Sequence, residues 1–233
     1  MASGDARPVA TRMVRQVAGW TAGMGALLFG VAGRLDWPGA WLFLGLMGGL
    51  GLLSGAWLAW RDPALLAERL APLWQREQKL WDKLLLLGAS LLSVAWLVTM
   101  ALDAGRWRLS HMPGWAQPVG LAGLALAALL AGLAFRANSF AAPVVKLQRA
   151  RGHKVADRGA YAVVRHPMYA GVLWFFLGLP LLLGSWWGFA FVPVLTAGLG
   201  LRAVLEERVL LAGLDGYAAY AARVRWRLVP GVW

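Results

Sequence analysis

Apolar runs of membrane length alternate along this chain with short segments that gather its charged residues. A helix needs about 20 residues to cross a hydrocarbon core of about 30 Å. Runs of that kind extend from Gln16 to Gly33, Trp37 to Trp60, Leu84 to Leu102 and Trp115 to Phe135. The stretch from Ala170 to Leu205 is longer, but Gly184 and Ser185 interrupt it beside Trp186 and Trp187. Indole rings favour the membrane interface, so a turn is predicted there, with a rather short span before it and a second after it. The pattern predicts an all-α, polytopic integral membrane bundle of five to six transmembrane helices, the last two forming a short hairpin.

Charge placement orients the bundle. With the amino terminus in the cytoplasm, 20 of the 23 Lys and Arg residues fall in inner segments, and only Arg34, Arg106 and Arg108 fall outside. Basic residues concentrate on the cytoplasmic side of membrane proteins, so both termini are expected there. The net charge of +12 then points to anionic lipid head groups in the bilayer and not to nucleic acid. Composition agrees, with 60% hydrophobic and 15% charged residues and 15 tryptophans. The absence of cysteine excludes disulfides, thiolate nucleophiles and cysteine metal sites, and no metal is expected. The basic residues before the first apolar run are read as flanking an anchor and not a cleaved leader.

Residues 1–135 read as transmembrane scaffold. The pairs Gly19 and Gly23, Gly45 and Gly49, and Gly51 and Gly55 have the spacing that lets helix backbones approach closely, inside the bundle or at a dimer contact. Between Arg61 and Lys83, Asp62, Glu68, Glu77 and Asp82 mix with five basic residues, which predicts a solvated interfacial helix. His111, alone in an outer loop, is given no role.

The polar chemistry lies in residues 136–233. From Asn138 to Arg165 the chain carries Lys146, Gln148, Arg149, Arg151, His153, Lys154, Asp157, Arg158 and Tyr161. Irregular backbone with such side chains cannot face lipid, so the segment is a surface loop or the wall of a polar cavity. Pro167 disfavours helix at His166 and suits the first position of the next helix. Amides at that helix start, with Arg165 beside them, are suited to a carboxylate or phosphate. Further on, Arg202 and Glu206 are four apart and share a helical face, while Glu207 points about 100° away. An interfacial salt bridge and a functional pair both fit this spacing.

The motifs GHKV, GAYAVVRHPMYAG, RAVLEERVL and the closing GYAAYAARVRWRLVPGVW resemble the isoprenylcysteine carboxyl methyltransferase family of membrane methyltransferases, which includes phospholipid amine methyltransferases. The resemblance covers roughly Asn138 to Trp233. It implies a helical membrane fold that holds S-adenosylmethionine in a pocket closed by the carboxyl-terminal segment and takes a lipophilic or prenylated substrate from the bilayer. By motif, His153, Lys154, Val155 and Ala156 match the first cofactor-contacting stretch, followed by Tyr161 and then His166, Pro167, Met168 and Tyr169. Glu206 is the expected contact in the paired-glutamate motif, with Glu207 the alternative if the register shifts by one. Gln148 matches a further upstream contact, and Arg202 the arginine that faces substrate.

Methyl transfer suits this inventory, because alignment of nucleophile, methyl and sulfur can supply up to about 7 to 11 kcal/mol of the barrier. A carboxylate acceptor is ionised at neutral pH and needs no base, and Arg202 could orient it; an amine would need Glu206, Glu207 or His166 as base. A phospholipid amine or thiol methyltransferase is the alternative reading. Membrane sterol reductases, which bind NADPH, share an RHP-Y-G stretch and a similar terminal segment, but the paired glutamate after a short hairpin favours methyl transfer. A binding protein without turnover is a third class. The richness in Ala, Leu, Gly and Arg suggests a bacterial inner membrane.

Overall fold

The computed structural model describes residues 6–76 and 78–233, with side chains from Val9 onwards. Arg7 and Glu77, counted above among the charged flanks, lie outside those limits. Eight α-helices and no strand occur among the described residues: α1 Ala6–Ala32, α2 Pro38–Arg61, α3 Pro63–Leu70, α4 Leu80–Met100, α5 Ala116–Ala137, α6 Pro167–Leu183, α7 Val192–Gly213 and α8 Tyr217–Arg223. A π-helical segment, Ala101–Trp107, carries α4 onward without a break.

Four of these elements are long and apolar enough to cross a membrane: α2, α4 with its π-helical extension, α5, and α7 with the short turn before it. The other two expected spans fall short of that standard for different reasons. Helix α1 has 27 residues, but its first half carries Thr11, Arg12, Arg15 and Gln16. Helix α6 has 17 residues, about 26 Å at 1.5 Å per residue. The predicted hairpin turn is present: Gly184, at φ 82, ends α6 in the left-handed conformation that glycine adopts without strain, and Trp186 and Trp187 stand exposed beyond it.

The interior is aliphatic and aromatic, with Leu28, Phe43, Trp96, Met100, Leu124, Leu179, Leu182 and Leu183 at its centre. Burying each such side chain is worth about 1.5–3 kcal/mol relative to water. Helices α5 and α6 touch backbone to backbone. A Cβ on Gly120 would lie 2.4 Å from the Leu182 nitrogen and 2.6 Å from the Gly178 oxygen, and one on Gly171 would lie 2.9 Å from the Ala127 oxygen. The close approach is therefore made by these glycines and not by most of those with the expected spacing. Gly51 and Gly55 pack against Val17 and Met13 of α1, whereas Gly19, Gly23, Gly45 and Gly49 face open space.

The hairpin end of the bundle is sealed by polar contacts. Asp103, in the π-helical segment, accepts hydrogen bonds from Ser110 at 2.6 Å and Ser185 at 2.5 Å. The indoles of Trp37 and Trp96 donate to the carbonyls of Leu183 and Gly188.

At the other end, the expected solvated helix over 61–83 is only partly formed. Helix α3 is eight residues long and capped by Asp62, which accepts from the Leu65 amide at 2.9 Å. Residues 71–76 and 78–79 are irregular, and α4 begins at Leu80, four residues before the expected start. That shift brings Asp82 into the helix, where it is fully buried.

Candidate active site

The loop from Asn138 to His166 folds back over the ends of α5, α6 and α7, and α8 packs on top of it. Within the loop, Gly152 takes φ 63 and closes the turn Arg149–Arg151, so that the chain reverses toward Gln148. The His153 Nδ1 then accepts from the Gln148 amide at 3.3 Å, and its ring stacks on Phe140 at 4.5 Å. Burial, with Arg151 close by, holds the His153 pKa below its ordinary value, so the ring is kept neutral. Tyr161 receives a hydrogen bond from Asn138 at 3.1 Å, and burial pushes its pKa to about 12. Its carbonyl accepts from the Tyr220 hydroxyl of α8 at 2.8 Å.

Together these elements border a partly open cavity with polar and apolar walls. Its wall includes His153, Lys154, Val155, Ala156, Tyr161, His166, Met168, Tyr169, Arg202 and Glu206. Residues as far apart in the sequence as Asn138 and Tyr220 thus share one hollow, and His166 and Glu206 both line it.

The two neighbouring glutamates differ sharply. Glu206 is half-buried in the cavity wall and accepts from the Tyr169 hydroxyl at 2.5 Å through Oε2. Glu207, one position on, is 4% exposed and points away from the cavity toward two guanidinium groups and the His166 ring. Arg165 Nε lies 2.9 Å from its Oε1, His166 Nε2 3.1 Å from the same oxygen, and Arg227 Nε 2.9 Å from Oε2. The amides of Arg165 and His166 donate to the carbonyls of Trp226 and Arg227, each at 2.9 Å. The expected anion at the start of α6 is thus internal: Glu207 neutralises Arg165 and fastens the carboxyl-terminal segment across the helix start.

The profile of the phospholipid methyltransferase family matches residues 116–213, from the start of α5 to the end of α7. Over this segment the chain is similar to that family. No curated protein matches the sequence. Among solved structures, the eukaryotic intramembrane Ras methyltransferase isoprenylcysteine carboxyl methyltransferase, determined without a monobody, has a similar fold. The TM-score is 0.58 at 18% identity, over 93% of this chain and 75% of that one. In fold this chain is similar to an integral membrane methyltransferase.

Arg202 does not pair with Glu206. Its Nε donates to Asp82 Oδ1 at 3.0 Å and its Nη2 to the Pro143 carbonyl at 2.7 Å, while its guanidinium lies 5.7 Å from the centre of the Tyr169 ring. The second Asp82 oxygen accepts from Gln78 at 2.7 Å and from the Val145 amide at 3.0 Å. Asp82 therefore fixes Arg202 and the loop together, a role the sequence left hidden because the partners are 120 positions apart. Only the poor orientation of Arg202 before Glu206 as an i,i+4 pair hinted at another partner.

Two expected contacts stand outside the cavity wall. Gln148 braces the loop, donating to the Phe140 carbonyl at 2.9 Å and accepting from Arg151. Pro167 is buried at the first position of α6. Conversely, Tyr217 of α8 lines the cavity and was not singled out. Its hydroxyl is buried without a hydrogen-bond partner among the described residues, and burial raises its pKa.

Two apolar grooves reach this site from the flanks of α6. One runs between α4, α6 and α7, lined by Leu85, Leu92, Val172, Phe176, Leu195 and Leu199, and shares Met168, Tyr169 and Arg202 with the cavity. The other lies between α2, α5 and α6 and shares Met168 with it.

Proposed function

We propose that this protein transfers a methyl group from S-adenosylmethionine to a lipophilic acceptor, in the manner of isoprenylcysteine carboxyl methyltransferase, with a carboxylate as the accepting group. One observation carries the reading: a cavity walled by Glu206, His153, Lys154 and a Tyr217 hydroxyl with no partner among the described residues adjoins an apolar groove, the two sharing Met168, Tyr169 and Arg202.

The residues present fit the cofactor. A buried hydroxyl without a partner is costly by about 1–3 kcal/mol, so Tyr217 favours a polar ligand in the cavity. Glu206 has one oxygen on Tyr169 and the other available for amino or hydroxyl groups. Lys154 complements a carboxylate, and the stacked rings of His166 and Tyr169, 5.2 Å apart, give the wall a flat aromatic surface. When bound, S-adenosylmethionine supplies a methyl already activated on a sulfonium. The chain's own residues orient and enclose. Tyr169 fixes the Glu206 carboxylate, Asp82 fixes Arg202 at the groove mouth, and Glu207 holds the carboxyl-terminal segment across the cavity. A carboxylate acceptor needs no base at neutral pH, and Glu207, committed to two guanidinium groups and the His166 ring, is not available as one.

In this reading residues 1–135 are scaffold and 136–233 form the catalytic region. Both termini lie in the cytoplasm of a bacterial inner membrane. Titration of the purified protein in uncharged detergent with S-adenosylhomocysteine and NADPH, followed by label transfer from methyl-labelled cofactor to prenylcysteine and fatty-acid acceptors, tests it. Binding of the homocysteine derivative with transfer to a carboxylate is expected; binding of NADPH alone would overturn the assignment. Glu206→Gln should leave the melting temperature nearly unchanged while weakening S-adenosylhomocysteine at least about tenfold, as loss of a charge-assisted hydrogen bond does.

A further inference from the structure

Arg69 stands apart from the other arginines around the site. Arg165 and Arg227 share Glu207, and Arg202 has Asp82. Among the described residues no carboxylate lies within 4.0 Å of Arg69. Its neighbour Glu68 is bound to Lys146 at 2.7 Å instead. The guanidinium rests 4.2 Å from the centre of the Phe135 ring, and Nη1 alone is engaged, with the Ala141 carbonyl at 3.0 Å and the Met168 sulfur at 3.9 Å. Nε and Nη2, the edge suited to a bidentate contact with a carboxylate or phosphate, have no protein acceptor among the described residues.

The position of this cation is as telling as its lack of a counter-ion. Arg69, Met168 and Val172 line both apolar grooves, and Met168 also lines the polar cavity. Arg69 therefore sits where the two lipid-facing grooves converge on the site. Burial holds its pKa down to about 10, as expected for a cation removed from water with no anion beside it. A guanidinium in such surroundings is costly unless an anion joins it.

We propose that Arg69 binds the anionic group of the lipophilic acceptor, a carboxylate or phosphate whose aliphatic chain lies in an adjoining groove. This rests on the methyltransferase reading and specifies its substrate class: an anionic amphiphile, not an amine. Arg202, already neutralised by Asp82, then completes the wall, and Arg69 supplies the charge that selects. A bilayer phospholipid offers the same chemistry through its phosphate, so the experiment must separate the two sources.

Binding of palmitate, hexadecanol and hexadecylamine to the full chain in uncharged detergent, with and without S-adenosylhomocysteine, provides the measurement. Palmitate should bind at least about tenfold more tightly than either uncharged or cationic analogue. Arg69→Gln should abolish that preference while leaving S-adenosylhomocysteine affinity unchanged, and Arg69→Lys should keep part of it. Equal binding of the three amphiphiles by a protein that still binds S-adenosylhomocysteine overturns this inference and spares the methyltransferase reading. Loss of S-adenosylhomocysteine binding alone does the reverse. Native mass spectrometry covers the other source: a phospholipid retained by the wild type, lost in Arg69→Gln and not displaced by palmitate, overturns the assignment to the acceptor.

Discussion

At the loop end of the bundle the buried carboxylates Asp82 and Glu207 meet guanidinium groups, whereas at the hairpin end Asp103, equally buried, meets only the hydroxyls of Ser110 and Ser185. The difference teaches what each end is for. Hydroxyls tie the turn of the α6–α7 hairpin to α4 and its extension without burying opposite charges there, and the Arg34 and Arg108 pairs with Asp36 at this end stay exposed, which suits a seal. Guanidinium pairs hold distant segments in fixed orientation around a hollow, and in the function proposed above Glu206 and Arg69 remain for a ligand.

The contrast can be broken in order of expected effect. Glu207→Ala strands Arg165 and Arg227 and should destabilise the protein by about 3–5 kcal/mol, read as a large fall in thermal midpoint in detergent and loss of a monodisperse species. Asp82→Asn removes the carboxylate from Arg202 and should cost about 2–3 kcal/mol, with Arg202→Met in the same background recovering part of the loss. At the hairpin end Ser185→Ala deletes one donor to Asp103 and the acceptor of the Gly188 amide, and about 1–2 kcal/mol is expected. If Ser185→Ala proved more damaging than Glu207→Ala, the assignment of seal and scaffold would have to be exchanged.

The smallest effect concerns His153. Its folded pKa lies below the ordinary 6.5, so the neutral ring is the stable form. Protonation is then favoured in the unfolded chain, and stability present above pH 6.5 should decline as the pH falls through that value. His153→Phe should flatten this part of the stability profile, measured by thermal unfolding across the acid range.

Much of this architecture was legible along the chain. The apolar runs located the six long helices to within a few residues, apart from the earlier start of α1 and the extension of α7, and Gly184 with Ser185 marked the hairpin turn. The helix start at Pro167 and the shared face of Arg202 and Glu206 were also readable, because local rules fix them. Asp82 was not. Acidic and basic residues mix around it, and its burial depends on loop residues 60 or more positions away. For the same reason Arg165 read as a charge offered to a ligand until Glu207 was seen against it. Tyr217 gave no signal, since an orphaned hydroxyl exists only once the cavity does.

The glycine seam between α5 and α6 makes these two ends one mechanical body. With no side chains to cushion the contact at Gly120, Gly171 and Gly178, the paired helices have little room to slide, and α6 carries His166 and Tyr169 at its opposite tip. A single methyl inserted at Gly178 would act as a wedge near the turn and tilt the far end, so a change remote from every ligand-facing atom should be felt as a misaligned pocket.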